Sequence, residues 1–216
     1  MKDNALTVTS KIGSAPDLPE PDRRVLGRSL FTFSGSEPAW YTVNDTVMGG
    51  ISRSSVHIDP DSQKMTFSGN VSLENNGGFA STRSDWVDYD LRGYDGILMR
   101  VLGDGNTYRF RIRTARTGPE IAFTALFDTK AGTWHDVYIP FADVVPTYRG
   151  FVVDAAEEID PSAIRSFGLM VADKQQGEFS LAVDWINAVA VKRNDYSNIN
   201  FGAASEPAPS LVYASN

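Results

Sequence analysis

Two short blocks of this chain carry more hydrogen-bonding groups than a plain turn requires. The first is Trp40-Tyr-Thr-Val-Asn-Asp-Thr-Val-Met-Gly-Gly-Ile-Ser52. Its candidate contact residues are Asn44, Asp45, Met48, Gly49, Gly50 and Ser52. Adjacent glycines let the backbone take positive φ or let another group approach closely, at a cost in conformational entropy. Two readings stand side by side: a loop that meets a partner, or a tight structural corner packed by Trp40. The second block is Glu74-Asn-Asn-Gly-Gly-Phe79. Glu74, Asn75, Asn76, Gly77, Gly78 and Phe79 place a carboxylate and two amides beside an aromatic. Sugar hydroxyls or an extended peptide would use such groups. Asn-Gly is also the strongest two-residue hairpin signal, so a simple turn is the plain alternative.

Arg109, Arg111 and Arg113 alternate with Phe110 and Ile112. A period of two puts the three guanidiniums on one sheet face and the apolar pair on the other. The commoner arrangement for such a stripe is a solvated outer face with acidic partners on neighbouring strands, and that is the expectation. Were Arg83 or Arg100 brought beside it, the stripe would become an anion or carboxylate site. Among the tryptophans, Trp86 in Ser84-Asp-Trp-Val-Asp88 is the candidate stacking platform, while Trp134 and Trp185 lie in strand patterns. His57 and His135 have neither metal-ligand spacing nor a nucleophile motif beside them. Asp45, Glu74 and Asp184 supply oxygen ligands that calcium would accept, without an EF-hand pattern. No acid/base pair can be nominated from spacing, and no cofactor or metal is expected.

The elements that must position these residues follow from composition and periodicity. The 216 residues include 20 basic and 27 acidic side chains, a formal charge of −7. That balance argues against a general affinity for nucleic acid or anionic lipid. Cysteine is absent, which excludes disulfides and thiolate chemistry. No apolar run approaches the roughly 20 residues of a membrane-spanning helix. The first ten residues carry no signal-peptide or transit-peptide pattern. If the chain starts there naturally, it stays where it is made, with a reducing cytoplasm the simplest compartment.

Residues 1–28 read as a flexible leader with Pro16, Pro19 and Pro21 among acids, and 193–216 as a disordered tail ending in Pro-rich sequence. Between them the apolar pattern has period two. Met65, Phe67, Val71 and Leu73 share one face, and Gly96–Leu102 reads as a central strand. Tyr108–Thr114, Ile121–Phe127, Trp134–Ile139, Ser166–Ala172 and Phe179–Ile186 complete the set. Short helical turns are expected only near 141–145 and 161–165. Many short strands separated by turn signals indicate one all-β sandwich or barrel domain over 29–192.

Several blocks in this order resemble a known family: Val43-Asn-Asp-Thr-Val-Met-Gly-Gly-Ile-Ser52, then Phe67-Ser-Gly-Asn-Val-Ser-Leu-Glu-Asn-Asn-Gly-Gly-Phe-Ala-Ser-Thr-Arg83, Asp90-Leu-Arg-Gly-Tyr-Asp-Gly96, and Val183-Asp-Trp-Ile186. The chain is similar to the CIA30 family, named for the complex I intermediate-associated protein of 30 kDa. The resemblance implies a galactose-binding-domain-like jelly roll of two antiparallel sheets, similar to carbohydrate-binding modules. It also implies a non-enzymatic assembly factor or chaperone that binds subunits of a respiratory or photosynthetic membrane complex. Membrane association would then be peripheral, through partners. The compartment would be a bacterial cytoplasm, or a mitochondrial matrix or plastid stroma for a mature organellar form. Alternatives are a carbohydrate-binding module, or an enzyme or carrier holding a small ligand in the concave sheet.

Overall fold

Alternation of β-branched and aromatic residues with polar ones decides the architecture, because each strand has one face to bury. The computed structural model describes residues 11–12, 26–153 and 158–191. In chain order the strands are β1 (Lys11–Ile12), β2 (Leu26–Phe31), β3 (Trp40–Asn44), β4 (Arg53–Asp59), β5 (Lys64–Val71), β6 (Ala80–Ser84) and β7 (Gly96–Leu102). Then come β8 (Thr107–Thr114), β9 (Ile121–Asp128), β10 (Trp134–Pro140), β11 (Val145–Tyr148), β12 (Phe151–Val152), β13 (Ile164–Val171) and β14 (Gly177–Ala190).

They form two sheets. The larger runs β12-β11-β9-β8-β13-β6-β3, with β1 also on β9, and the smaller runs β10-β7-β14-β5-β4, with β2 also on β14. The pairings along both sheets are antiparallel, and β1 with β9 is parallel. The all-β sandwich expected from the period-two pattern is the fold observed. Strand β7 lies between β10 and β14, as its nearly continuous apolar run requires.

The core fills the space between the sheets. Tyr108, Phe110 and Ile112 from β8 meet Met65, Phe67, Met99, Val101, Leu181 and Val183 from the smaller sheet, all fully buried. Phe167 stands edge-on to Tyr89 at 5.2 Å, tying the 85–95 connection to the sandwich. Trp40 packs edge-on against Phe31 at 5.2 Å. Burying each such side chain contributes about 1.5–3 kcal/mol.

Three expectations are corrected. Leu73 does not continue the buried face of β5, because the strand ends at Val71 and Leu73 is 38% exposed. Two 3-10 turns not read from the sequence occupy Asp45–Met48 and Glu74–Asn76, beside those expected at Phe141–Asp143 and Pro161–Ala163. Within the stretch read as leader, Lys11–Ile12 is a short strand and β2 opens at Leu26. The rest of the leader and the tail read at 193–216 lie outside the described residues.

Candidate functional site

Both Gly-Gly blocks are crossovers between the sheets. The first carries the chain from β3 in the larger sheet to β4 in the smaller, and the second returns it from β5 to β6. Because each joins strands of different sheets, neither is a hairpin turn, and hydrogen bonds between them place both at the same end of the sandwich.

The Asp45 carboxylate holds them together. Its residue is fully buried. Oδ1 accepts from the Ser52 backbone N–H at 3.0 Å, and Oδ2 accepts from the Ser52 hydroxyl at 2.5 Å. From the other crossover, Oδ2 accepts from the backbone N–H of Gly78 at 2.7 Å and of Phe79 at 3.3 Å. Ser52 Oγ in turn accepts from the Ser72 N–H at 3.0 Å, and the Ser72 hydroxyl accepts from the Glu74 N–H at 3.2 Å. Burial works against the charge on Asp45, but the hydrogen bonds from Ser52, Gly78 and Phe79 outweigh it and hold its pKa below the usual carboxylate range.

Each Gly-Gly pair divides its labour. Gly49 has φ +91° and Gly78 φ +135°, conformations that side chains rarely adopt. Gly50 and Gly77 serve proximity instead. A Cβ on Gly50 would sit 2.4 Å from the Asp45 carboxyl carbon, and one on Gly77 would sit 2.6 Å from Asp45 Oδ2. The glycines make room for a buried carboxylate, which is the corner reading. Asn44 also turns inward, its side-chain oxygen accepting from the Ser54 hydroxyl at 2.6 Å.

What the crossovers show to solvent is different. Val47 is 71% exposed, Met48 56%, Ile51 44% and Leu73 38%. These are four of the eight large hydrophobics that stand exposed among the described residues, and two loops clamped by one carboxylate hold them at one end. Glu74, Asn75 and Asn76 are exposed around them, with Asn75 and Asn76 at positive φ. Met48 was among the candidates; the signal missed in the sequence was its apolar neighbours Val47 and Ile51, flanking the same glycines inside a polar loop.

The other candidates form two further groups. Arg83, Arg109, Arg111 and Arg113 lie on the face of the larger sheet opposite the core, as the register shows by aligning Arg83 with Gly168 and Gly168 with Arg111. The expected solvated stripe with cross-strand acids is not what forms. Arg109 and Arg113 are buried, and Arg109 pairs with Asp173 from the β13–β14 loop. Trp86 is 42% exposed but follows the far end of β6, away from the crossovers. Asp45, Glu74 and Asp184 do not converge, Asp184 lying near Arg100 instead. No group of three or more His, Asp or Glu side chains suited to a metal occurs among the described residues.

A family model described as Complex I intermediate-associated protein 30 (CIA30) matches residues 30–183, which span both crossovers and most of the sandwich. The chain belongs to the CIA30 family. This CIA30 chain is 28% identical over 175 residues to an uncharacterized protein of Schizosaccharomyces pombe, covering 71% of this chain and 78% of that one. It is 29% identical over 97 residues to the mitochondrial complex I intermediate-associated protein 30 of Neurospora crassa, covering 44% of this chain and 35% of that protein. The mouse mitochondrial protein of the same name is 23% identical over 166 residues, covering 68% and 51%. The CIA30 chain therefore matches a third to a half of the length of these two named relatives. Among solved structures, a family 11 carbohydrate-binding module from Clostridium thermocellum superposes with a TM-score of 0.58 at 18% identity, over 76% of this chain and 96% of that one. That likeness establishes a shared sandwich.

Proposed function

We propose that this CIA30 protein acts in the assembly of a respiratory complex I-type membrane complex, binding a protein subunit through the paired crossovers. The observation that carries the reading is the apolar tip formed by Val47, Met48, Ile51 and Leu73, exposed on loops that Asp45 holds in place. Rigidly held apolar side chains rimmed by polar ones suit a protein partner, since their ordering cost is already met in the free state. Membership of the CIA30 family and the names of its mitochondrial relatives support the choice of partner and favour the matrix as compartment. No helix among the described residues is long and apolar enough to cross a membrane, so contact with the complex through such a subunit fits. In this reading Met48 touches the partner, Glu74, Asn75 and Asn76 form the polar rim, and Asn44, Asp45 and Ser52 position the loop from within.

The test is a charged tip. Val47→Asp with Met48→Asp changes only solvent-facing side chains, so the melting temperature stays within about 2 °C of the parent. Two charges at the centre of a docking surface weaken binding by about 2 kcal/mol or more, roughly 30-fold. Affinity capture from the native host with parent and variant, read by mass spectrometry, compares the recovery of complex I subunits. Undiminished recovery with the variant would place the partner surface elsewhere.

A further inference from the structure

The outer face of the larger sheet gathers four arginines, and among the described residues the acid that pairs directly with one of them is Asp173, on Arg109. One row crosses six strands as Tyr41, Arg83, Gly168, Arg111, Thr124 and Val145. Arg83 and Arg111 are two strand spacings apart, about 9.5 Å between backbones. Gly168 between them contributes no side chain, so the two guanidinium arms flank bare backbone. Arg113 joins from the next outward position of β8.

Their partners are few. Arg109 is neutralised by Asp173, donating through Nε at 3.0 Å and again through Nη2. Arg83 lies over the Tyr41 ring at 4.8 Å, and its Nε is buried without a hydrogen-bond partner. Arg113 donates to the Pro119 carbonyl at 3.3 Å. The charged neighbours that act on Arg111 are Arg113, Arg109 and Arg83, all of one sign. Burial first, then those three guanidiniums, pushes Arg111 down to about 9. Burial and then Arg83 push Arg113 down to about 10, against weaker opposing effects of Tyr41 and Glu120.

Sequestering like charges without a counter-ion is among the costlier arrangements a fold can hold. A chain with net charge −7 has acids to spare for pairing them, yet among the described residues Asp173 pairs only with Arg109, and Glu120 acts on Arg113 more weakly than burial and Arg83 do. Guanidiniums present forked donors that fit tetrahedral oxyanions, and several of them together suit a dianion better than a single carboxylate. The overall negative charge disfavours extended polyanions, which leaves a discrete ligand.

We propose that Arg83, Arg111 and Arg113 form a binding site for a phosphate dianion, free or carried as a small phosphomonoester, on the outer face of the larger sheet. The site is separate from the crossover tip and stands whether or not that tip binds a subunit.

The experiment reads thermal unfolding of the full chain against inorganic phosphate, glycerol 3-phosphate and citrate, with sodium chloride matching ionic strength. Phosphate at about 100-fold above its Kd raises the melting temperature by about 5–10 °C. A larger shift with glycerol 3-phosphate assigns the site to a phosphomonoester, and an equal shift assigns it to the free ion. Arg111→Met, which keeps the apolar stem and removes the charge, melts above the parent in phosphate-free buffer and loses the phosphate response. Arg83→Met is the second variant and also loses the response. A parent that responds to citrate alone, or no better to phosphate than to chloride, overturns the assignment. So does an Arg111→Met variant that melts lower and still responds, since the arginine would then be structural.

Discussion

Replacing Asp45 by Asn is expected to lower stability by about 4 kcal/mol, a fall of about 8–16 °C in melting temperature for a chain of this size. The two side chains have nearly the same shape, so the loss isolates what the carboxylate does. Asp45 accepts from the Ser52 N–H and hydroxyl and from the N–H groups of Gly78 and Phe79. An amide has one acceptor oxygen, and its NH2 would face whichever donors that oxygen does not reach. At least one buried backbone N–H is then left against another donor. Acid should reveal the same contact. Asp45 has a depressed pKa in the fold, so the unfolded chain binds its proton first as pH falls. Its contribution is complete above the unfolded value of about 4 and is lost as pH drops through the lower folded value. Glu37 and Asp90, each drawn down to about 2, also add to the loss of stability in acid. The measurement is therefore a difference: urea unfolding of parent and Asp45→Asn from pH 2 to 7. The stability gap should narrow in acid, and a gap constant with pH would show that the carboxylate's charge is not what clamps the crossovers.

The strands were legible because alternation is local. Tyr108–Thr114 states its own geometry, and β8 buries Tyr108, Phe110 and Ile112 as that pattern requires. The inward turn of Asp45 was not legible, because its partners Gly78 and Phe79 lie 33 and 34 residues away on another crossover. Nothing near Asn44-Asp45 says that the carboxylate will find four donors. The arginine stripe failed for a related reason. Its spacing correctly put three guanidiniums on one face, but their neighbours depend on β13 entering between β6 and β8. That insertion brings Arg83 into line with Arg111 across Gly168, and no periodicity within β8 could foretell it. Both candidate sites are thus products of strand order, while the strands themselves are products of sequence.

The glycines of the first crossover allow the clamp to be tested from its other side. Gly50→Ala should destabilise by about 3 kcal/mol, because its Cβ would fall 2.4 Å from the Asp45 carboxyl carbon and must push the carboxylate off its donors. In an Asp45→Ala background the carboxyl group is gone, and the same substitution meets chiefly the remaining β-carbon. The two changes should then be strongly non-additive, with a coupling of about 2 kcal/mol. Gly49→Ala is the contrast. Nothing lies within 4 Å of its added methyl group, but φ is +91°, so it pays only backbone strain of about 1–2 kcal/mol. That cost belongs to Gly49 alone and should add to Asp45→Ala without coupling. Equilibrium unfolding of the single and double variants supplies every term of the two cycles. Additivity at Gly50 as well as at Gly49 would mean that both glycines serve only the turn. Coupling at Gly50 alone would mean that the adjacent glycines of this crossover serve two separate purposes, one the bend and one the buried charge.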